Sequence, residues 1–196
     1  YDRNLNEIFS KNKTIVQDNY NNILSSQNFK LSIKDKILEA KIVNLIDNEL
    51  NKYSFEVIKL NMITDEVVGK DLSIKFNKKY FGANNEPRLK AKGVILDNEK
   101  SIFKKGIFTI CKERKDKCPP WTITAQEINH DKNKKLINYK NAWLKVYDKP
   151  ILYFPKFFHP DSTVNRRTGF LRPQLNNSNT LGSSIYIPYF VTLGDD

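Results

Sequence analysis

The chain has 196 residues, which is enough for one domain of moderate size or for one domain plus part of another. It contains no run of 18 apolar residues, which excludes a transmembrane helix but not short membrane strands that alternate apolar and polar positions. The formal net charge of +11 suggests an anionic partner such as a nucleic acid, a membrane surface or a phosphorylated lipid. Most of the basic residues are lysines and no nucleic-acid-binding motif accompanies them, so we expect no nucleic-acid partner.

Alternation with a period of two is the clearest pattern along the chain, and it predicts half-buried strands. It appears in the segments FKLSIK (29–34), LSIKFN (72–77), WTITAQ (121–126) and AWLKVY (142–147). Short polar connectors between such segments suit hairpin turns. Residues 41–60 are also compatible with a helix, but their β-branched and aromatic content favours strands.

A loose internal repeat links three segments that begin at Ala40, Ala91 and Ala125. Each has a small residue and an apolar run, and then an aspartate (Asp47, Asp97 or Asp131) that opens a polar turn. Repeated hairpin units that cannot bury their apolar faces alone stack into an elongated β structure with one continuous interior. The sequence therefore predicts an all-β fold, whose interior is either a packed core or a groove that takes lipid chains.

The apolar positions of the alternating segments are the candidates for lining such a groove. They are Phe29, Leu31, Ile33, Leu72, Ile74, Phe76, Ile123, Leu144 and Val146.

The search for enzyme chemistry finds little. His159, Asp161 and Ser162 are too close together along an extended chain to converge as a catalytic triad, and no nucleophile elbow surrounds Ser162. His130 and His159 are expected to be satisfied histidines on the surface or in turns. The sequence predicts no catalytic residues, no metal and no cofactor, and a hydrolase acting on surface glycolipid is kept as an alternative.

Cys111 and Cys118 bracket the hexapeptide KERKDK. Two thiols with no nearby histidine make a poor zinc site. In an oxidising compartment the two can form a disulfide with each other, or one of them can pair with a cysteine elsewhere. Free buried thiols are the simplest alternative.

Several motifs occur in order between Cys118 and Phe190: CPPW, PILYFPKFFHPD, RRTGFLRP and IPYF. Together they resemble the LptD family of outer-membrane lipopolysaccharide assembly proteins. Residues 1–110 fit the periplasmic OstA-like domain of that family more loosely.

The resemblance implies a fold, a location and partners. Residues 1–155 would form a periplasmic, folded-over β jelly roll that carries lipid A acyl chains, and residues 156–196 the linker and the first two strands of a transmembrane β-barrel. Its partners would be lipopolysaccharide, a periplasmic bridge protein of the same jelly-roll type added at an edge strand, and an outer-membrane lipoprotein plug inside the barrel. A soluble bridge component is the alternative, and the RRTGFLRP junction argues against it.

The resemblance also implies roles for particular residues. Pro173 and Pro188 fall where the family has prolines in its first two barrel strands, beside a lateral gate, although ordinary edge or turn prolines would look the same. Arg166, Arg167 and Arg172 are candidates for contacts with anionic lipid headgroups, and a charged collar that sets strand register is the alternative. The family often ties its N-terminal domain to the barrel end through disulfides, and the resemblance leaves open which cysteines pair in this chain.

Overall fold

The computed structural model describes residues 6–81, 85–113, 119–161, 163–164, 168–171, 174–178, 180 and 182–193. Within these residues the chain consists of β-strands, turns and one short 3-10 helix (Lys78–Tyr80), with no α-helix. The strands are β1 (Glu7–Ser10), β2 (Thr14–Gln17), β3 (Ile23–Ser32), β4 (Ile37–Ile46), β5 (Lys52–Asn61), β6 (Glu66–Lys75), β7 (Arg88–Leu96), β8 (Lys100–Thr109), β9 (Trp121–Asp131), β10 (Leu136–Val146), β11 (Lys149–Pro160), β12 (Gly169–Phe170), β13 (Gln174–Ser178), β14 (Gly182–Tyr186) and β15 (Tyr189–Phe190). The predicted all-β class is confirmed, and the ambiguous segment 41–60 belongs to β4 and β5 as predicted.

An 11-stranded antiparallel sheet contains β1 to β11. From β3 to β11 the order of strands in the sheet follows the order along the chain, while β1 and β2 both pair with β3 at one edge. β11 lies at the other edge and runs without a break across residue 155, where the domain boundary is predicted. The division into two domains stays a prediction.

Aspartates shape the turns of the three repeated hairpins. The Oδ1 atom of Asp47 accepts hydrogen bonds from the backbone N–H groups of Glu49 and Asn51, at 3.0 and 2.8 Å. Asp97 and Asp131 accept backbone hydrogen bonds within their own turns in the same way. A carboxylate that binds the N–H groups of the following residues stabilises a tight turn, which is why the repeat places an aspartate there.

A line of irregular residues crosses the middle of the sheet. Five residues other than glycine have a φ angle near +50° within their strands: Asn28, Ile42, Asp71, Lys105 and Asn141. The side chains on both sides of this line face the same interior. Ala40 and Val43, for example, are both buried although they are three positions apart, with Ile42 between them. In a regular strand, residues three positions apart point to opposite faces of the sheet. An extra residue of this kind breaks the strict alternation and bends the strand, as a β-bulge does.

The bend folds the sheet so that its two halves pack face to face. The largest cavity described below is lined by Asp47 and Asn51 from turns at one end of the strands and by His130 and Lys132 from the other end. Residues from both halves contribute to one continuous cluster of buried apolar side chains. The interior is therefore enclosed by a single sheet that covers itself, consistent with the folded-over jelly roll implied by the resemblance.

Candidate functional site

Two cavities occupy the interior between the two halves of the sheet. Their volumes are about 400 Å³ and about 650 Å³. They share the lining residues Phe81, Phe108, His159 and Asp161, so they lie next to each other, and we call the two together the slot. Cavities of this size are typical of sites for small organic ligands.

The smaller cavity has a mostly aromatic and aliphatic wall and ends at the C-terminal hairpin. The ring centroids of Phe154 and Phe157 in β11 lie 6.0 and 6.1 Å from that of Phe170 in β12. Phe170 in turn contacts Tyr189 of β15 at 4.8 Å. These ring contacts place the β12–β15 pair against the end of the slot, where Ile187 and Pro188 also line the cavity.

The predicted groove residues divide into three groups by how deeply their side chains are buried. Phe29, Leu72, Ile74, Ile123 and Leu144 are buried in the core, and Leu31 and Phe76 pack against it. Ile33 and Val146 are half-buried, Ile33 just after the end of β3 and Val146 as the last residue of β10. Ile74, Phe76, Ile123 and Leu144 line the slot. Whether any of the nine contacts lipid stays a prediction.

The period-two pattern does not predict the aromatic wall of β11. Phe154 and Phe157 both face the slot although they are three residues apart, because the strand passes Pro155 at the line where the sheet bends. A period-two pattern cannot place such residues. The apolar run PILYFPKFFHP, which does not alternate, is the signal that was available.

A polar cluster interrupts the apolar wall where the two cavities meet. The hydroxyl of Tyr139 lies 2.9 Å from Nε2 of His159, whose Nδ1 lies 2.6 Å from the carbonyl oxygen of Pro160. This arrangement suits a neutral imidazole that donates from Nδ1 to Pro160 and accepts the Tyr139 proton at Nε2. Nε2 of His130 lies 2.6 Å from Oδ2 of Asp161, at an angle that does not suit a hydrogen bond.

The prediction that both histidines lie on the surface or in turns is wrong. His130 belongs to β9 and His159 to β11, and both line the slot. Their strand positions face inward because each pairs with Ile137, whose side chain packs against the core. Ser162, the third residue considered for a triad, lies outside the described residues.

The buried imidazole predicts a specific dependence of stability on pH. Desolvation lowers the pKa of His159 below its ordinary value of 6.5, and the hydrogen bond to the Pro160 carbonyl opposes this only in part. The unfolded chain therefore takes up a proton more readily than the folded one. The contribution of His159 to the free energy of unfolding should have its full value above pH 6.5 and should decrease as the pH falls below that value. Urea unfolding of the parent and of His159→Phe, above and below pH 6.5, measures the effect.

His159→Phe should have a smaller loss of stability at acid pH than the parent, whatever its stability at neutral pH. The matched control is His130→Phe, which removes the other histidine and should keep the acid loss caused by His159. An unchanged acid loss in His159→Phe would contradict the assignment.

Polar groups in and beside the turns at both ends of the strands surround the larger cavity. The hydroxyl of Tyr53 donates to Oδ2 of Asp47 at 2.8 Å, and burial raises the pKa of Tyr53. Lys132 donates from Nζ to the carbonyl oxygen of Asp97 at 2.5 Å, and desolvation lowers its pKa. The walls of the slot are thus mostly apolar, with polar groups at the rim and where the two cavities meet, which suits a ligand with an apolar body and a polar end.

The other candidate residues lie mostly outside the described part of the chain. This holds for Arg166, Arg167, Arg172 and Pro173, and for Cys118, the predicted disulfide partner of Cys111. The predicted headgroup contacts and disulfide therefore stay predictions. Sγ of Cys111 lies 3.8 Å from the carbonyl oxygen of Trp121.

Pro188 occupies a break between β14 and β15. Its carbonyl oxygen accepts a hydrogen bond of 2.9 Å from the N–H of Leu171, which lies in the break between β12 and β13. On each side of these breaks the strands are paired, β12 with β15 and β13 with β14. Pro188 thus lies outside the assigned strands and still bonds to the facing chain, while its role in a gate stays a prediction.

In the part of the chain that the structure describes, no helix is long and apolar enough to cross a membrane. Nor do three or more His, Cys, Asp or Glu side chains come together there in a way that could hold a metal ion.

The fold and the slot define an all-β protein with an elongated apolar interior that a small or chain-like apolar ligand could occupy. The chain is similar to proteins named LPS-assembly protein LptD. It is 36% identical over 73 residues to the one from Francisella tularensis subsp. novicida, 33% identical over 93 residues to the one from Legionella pneumophila strain Paris, and 26% identical over 118 residues to the one from Idiomarina loihiensis.

These matches confirm the resemblance to LptD over a limited stretch. They cover 37%, 47% and 60% of this chain, and the chain spans only 8%, 11% and 15% of the length of those relatives. No protein-family model matches the chain. The name of these relatives describes the assembly of lipopolysaccharide and not a catalysed reaction.

Proposed function

We propose that this chain takes part in lipopolysaccharide transport at the outer membrane and that its slot holds lipid A acyl chains. The observation that carries the proposal is the slot of two adjacent cavities with mostly apolar walls, which reaches Ile187 and Pro188 near the C-terminal strands. Burial of an acyl chain in such a space removes apolar surface from water, which favours binding. The similarity to LPS-assembly proteins supports lipopolysaccharide as the lipid.

The slot also suggests a direction of movement. Its larger cavity is lined by polar side chains such as those of Lys132 and Asp47, and its smaller cavity is lined by Phe154, Phe157 and Phe170. An acyl chain that enters at the polar rim would pass along the aromatic wall toward the C-terminal hairpin. In this proposal the hairpin leads into the barrel of an outer-membrane protein, which also holds a lipoprotein plug, and the jelly roll lies in the periplasm.

A bridge protein of the same jelly-roll type would bind by strand addition at an edge of the sheet. The edge formed by β1 and β2 exposes Phe9 and Ile15, at 54% and 64% of their surface. Unpaired backbone groups at an edge supply hydrogen bonds to an added strand, and exposed apolar side chains add contact area. Crosslinking between a cysteine introduced at Phe9 or Ile15 and the bridge protein tests this contact; no crosslink from either position would contradict it.

Neighbouring residues of opposite orientation provide the test of the slot. A photo-crosslinker at Ile74 or Leu144, whose side chains line the slot, should capture lipopolysaccharide. At Lys75 or Lys145, which point away from it, capture should be at the level of a chain without crosslinker. Each pair differs by one position along the same strand, so equal labelling from both members would rule out the slot as the lipid site.

The C-terminal prolines would weaken the pairing of the first barrel strands. A proline has no N–H, so each strand loses up to one ladder hydrogen bond, a net loss of about 0.5–1.5 kcal/mol. In the full-length protein, Pro173→Ala with Pro188→Ala should strengthen this seam and slow lipopolysaccharide export. Surface lipopolysaccharide and the thermal stability of the barrel are the two measurements. Export at the parental rate in the double variant would remove the gate assignment.

The arginines at 166, 167 and 172 are proposed to bind the phosphates of lipid A. Charge-assisted hydrogen bonds of this kind weaken as salt increases. Delivery by Arg166→Gln with Arg167→Gln should therefore be lower than delivery by the parent and less sensitive to salt. Unchanged delivery across ionic strength would instead favour a charged collar that sets strand register.

A further inference from the structure

The outer face of β10 and β11, on the side of the sheet away from the slot, carries an exposed aromatic pair. Trp143 and Tyr153 are directly opposite each other in the ladder, with ring centroids 4.9 Å apart, and they are 41% and 45% exposed. The hydroxyl of Tyr153 donates to Oδ1 of Asn141 at 2.8 Å, which fixes the orientation of its ring. Large aromatic side chains on a surface, held in place in this way, are typical of contact sites.

Two lysines lie next to this pair, and they face each other. Lys140 and Lys156 are cross-strand partners, an arrangement that destabilises a sheet when both side chains carry the same charge. Glu127 also pairs with Lys140 in the ladder, but its carboxylate binds Lys104. Among the described residues no carboxylate forms an ion pair with Lys140 or Lys156. The face thus has a surplus of positive charge that an external anion would neutralise.

We propose that this face, the aromatic–lysine patch (Trp143, Tyr153, Lys140 and Lys156), docks on the surface of an anionic lipid bilayer. Tryptophan and tyrosine favour the interface between headgroups and acyl chains, because their rings are apolar and their tips are polar. Lysine stems lie along apolar surface while their ammonium groups reach the lipid phosphates. The docking is separate from the slot, since it uses the opposite face of the same strands.

The neighbouring hairpin tip extends the patch. Tyr147 and Ile151 are exposed at the β10–β11 turn, at 57% and 49%. An exposed aliphatic side chain among aromatic rings favours acyl chains as the contact, whereas bases of a nucleic acid would stack on the rings alone.

Binding of the 196-residue chain to vesicles free of lipopolysaccharide tests the proposal. The probe is phosphatidylethanolamine vesicles with either phosphatidylglycerol, which is anionic, or phosphatidylcholine, which is neutral. Trp143 serves as the reporter, because the other tryptophan, Trp121, is buried in the core. We expect a shift of the fluorescence maximum to shorter wavelength and co-sedimentation with the anionic vesicles, both of which should weaken as salt increases.

Matched variants separate the patch from net charge and from the C-terminal hairpin. Lys140→Gln with Lys156→Gln should weaken binding by more than about tenfold, since each lysine near an anionic surface contributes on the order of fivefold. Lys41→Gln with Lys90→Gln removes the same charge from exposed positions on β4 and β7 and should retain most of the binding. Trp143→Ser with Tyr153→Ser should also lose binding, measured by co-sedimentation.

Four results would overturn the proposal. They are no binding to anionic vesicles, equal loss in the two lysine double variants, parental binding by Trp143→Ser with Tyr153→Ser, and self-association of the chain through this face in place of vesicle binding. Circular dichroism of each variant checks that it is folded. Because the vesicles contain no lipopolysaccharide, none of these results depends on the function proposed for the slot.

Discussion

Replacing Ile123 by Trp is expected to weaken the binding of lipopolysaccharide about tenfold, which corresponds to about 1.4 kcal/mol. Ile123 is buried and lines the cavity of about 400 Å³, so the larger indole can extend into existing space without forcing the strands apart. The same indole then occupies volume that an acyl chain would need. Titration of the chain with fluorescently labelled lipopolysaccharide gives the change in apparent Kd.

Ile107→Trp is the matched control. Ile107 pairs with Thr124 on the outer face of the sheet and is 44% exposed, so a larger side chain there meets solvent and not the slot. Its Kd should be that of the parent. Parental affinity in Ile123→Trp, with the variant folded, would mean that the smaller cavity is not part of the lipid site.

Gly69→Val is expected to lower the free energy of unfolding by about 1–3 kcal/mol, the usual cost of overpacking a core. Gly69 lies near the line where the sheet bends, and a Cβ atom there would be 2.8 Å from Cδ1 of Phe55 and 2.9 Å from Cγ1 of Val94. Both neighbours are buried and have little room to move. Denaturant unfolding monitored by circular dichroism measures the loss.

Gly93→Val provides the comparison on the adjacent strand. A Cβ atom at Gly93 would be no closer than 3.8 Å to its nearest neighbour, Cβ of Lys104, so a side chain fits there. Valine also has a higher strand propensity than glycine, which should leave the stability of this variant unchanged or slightly increased. Equal destabilisation by the two substitutions would show that loss of glycine, and not close packing against Phe55 and Val94, is the cause.

The sequence was a good guide to the strands because strand formation depends on local alternation. Ile123 and Ala125 alternate with polar or outward positions, and the structure buries both side chains. The turns at the aspartates could equally be predicted from the sequence, since Asp47 and Asp97 bind N–H groups only two to four residues away. Features of this kind are encoded within a few neighbouring residues.

Alternation failed where the strands bend. Ile42 is a β-branched residue with a φ angle of +49°, a conformation that nothing in its side chain favours. The bend is imposed by the packing of the two halves. The set of inward-facing positions along a strand shifts by one residue at the bend, and the sequence does not mark where this shift occurs. The inward positions of Phe154 and Phe157 follow from the same bend.

By itself, the sequence determined an all-β chain of repeated hairpins with a predictable set of apolar positions, because these depend on the period of a strand and on turn chemistry. Only the tertiary structure decided that the interior contains a slot, since open space between two layers depends on how far apart they pack. It also decided the positions of His130 and His159, which line that slot because a second layer of the same sheet covers the face they occupy. A residue's own neighbours in sequence carry no information about the layer that will cover it.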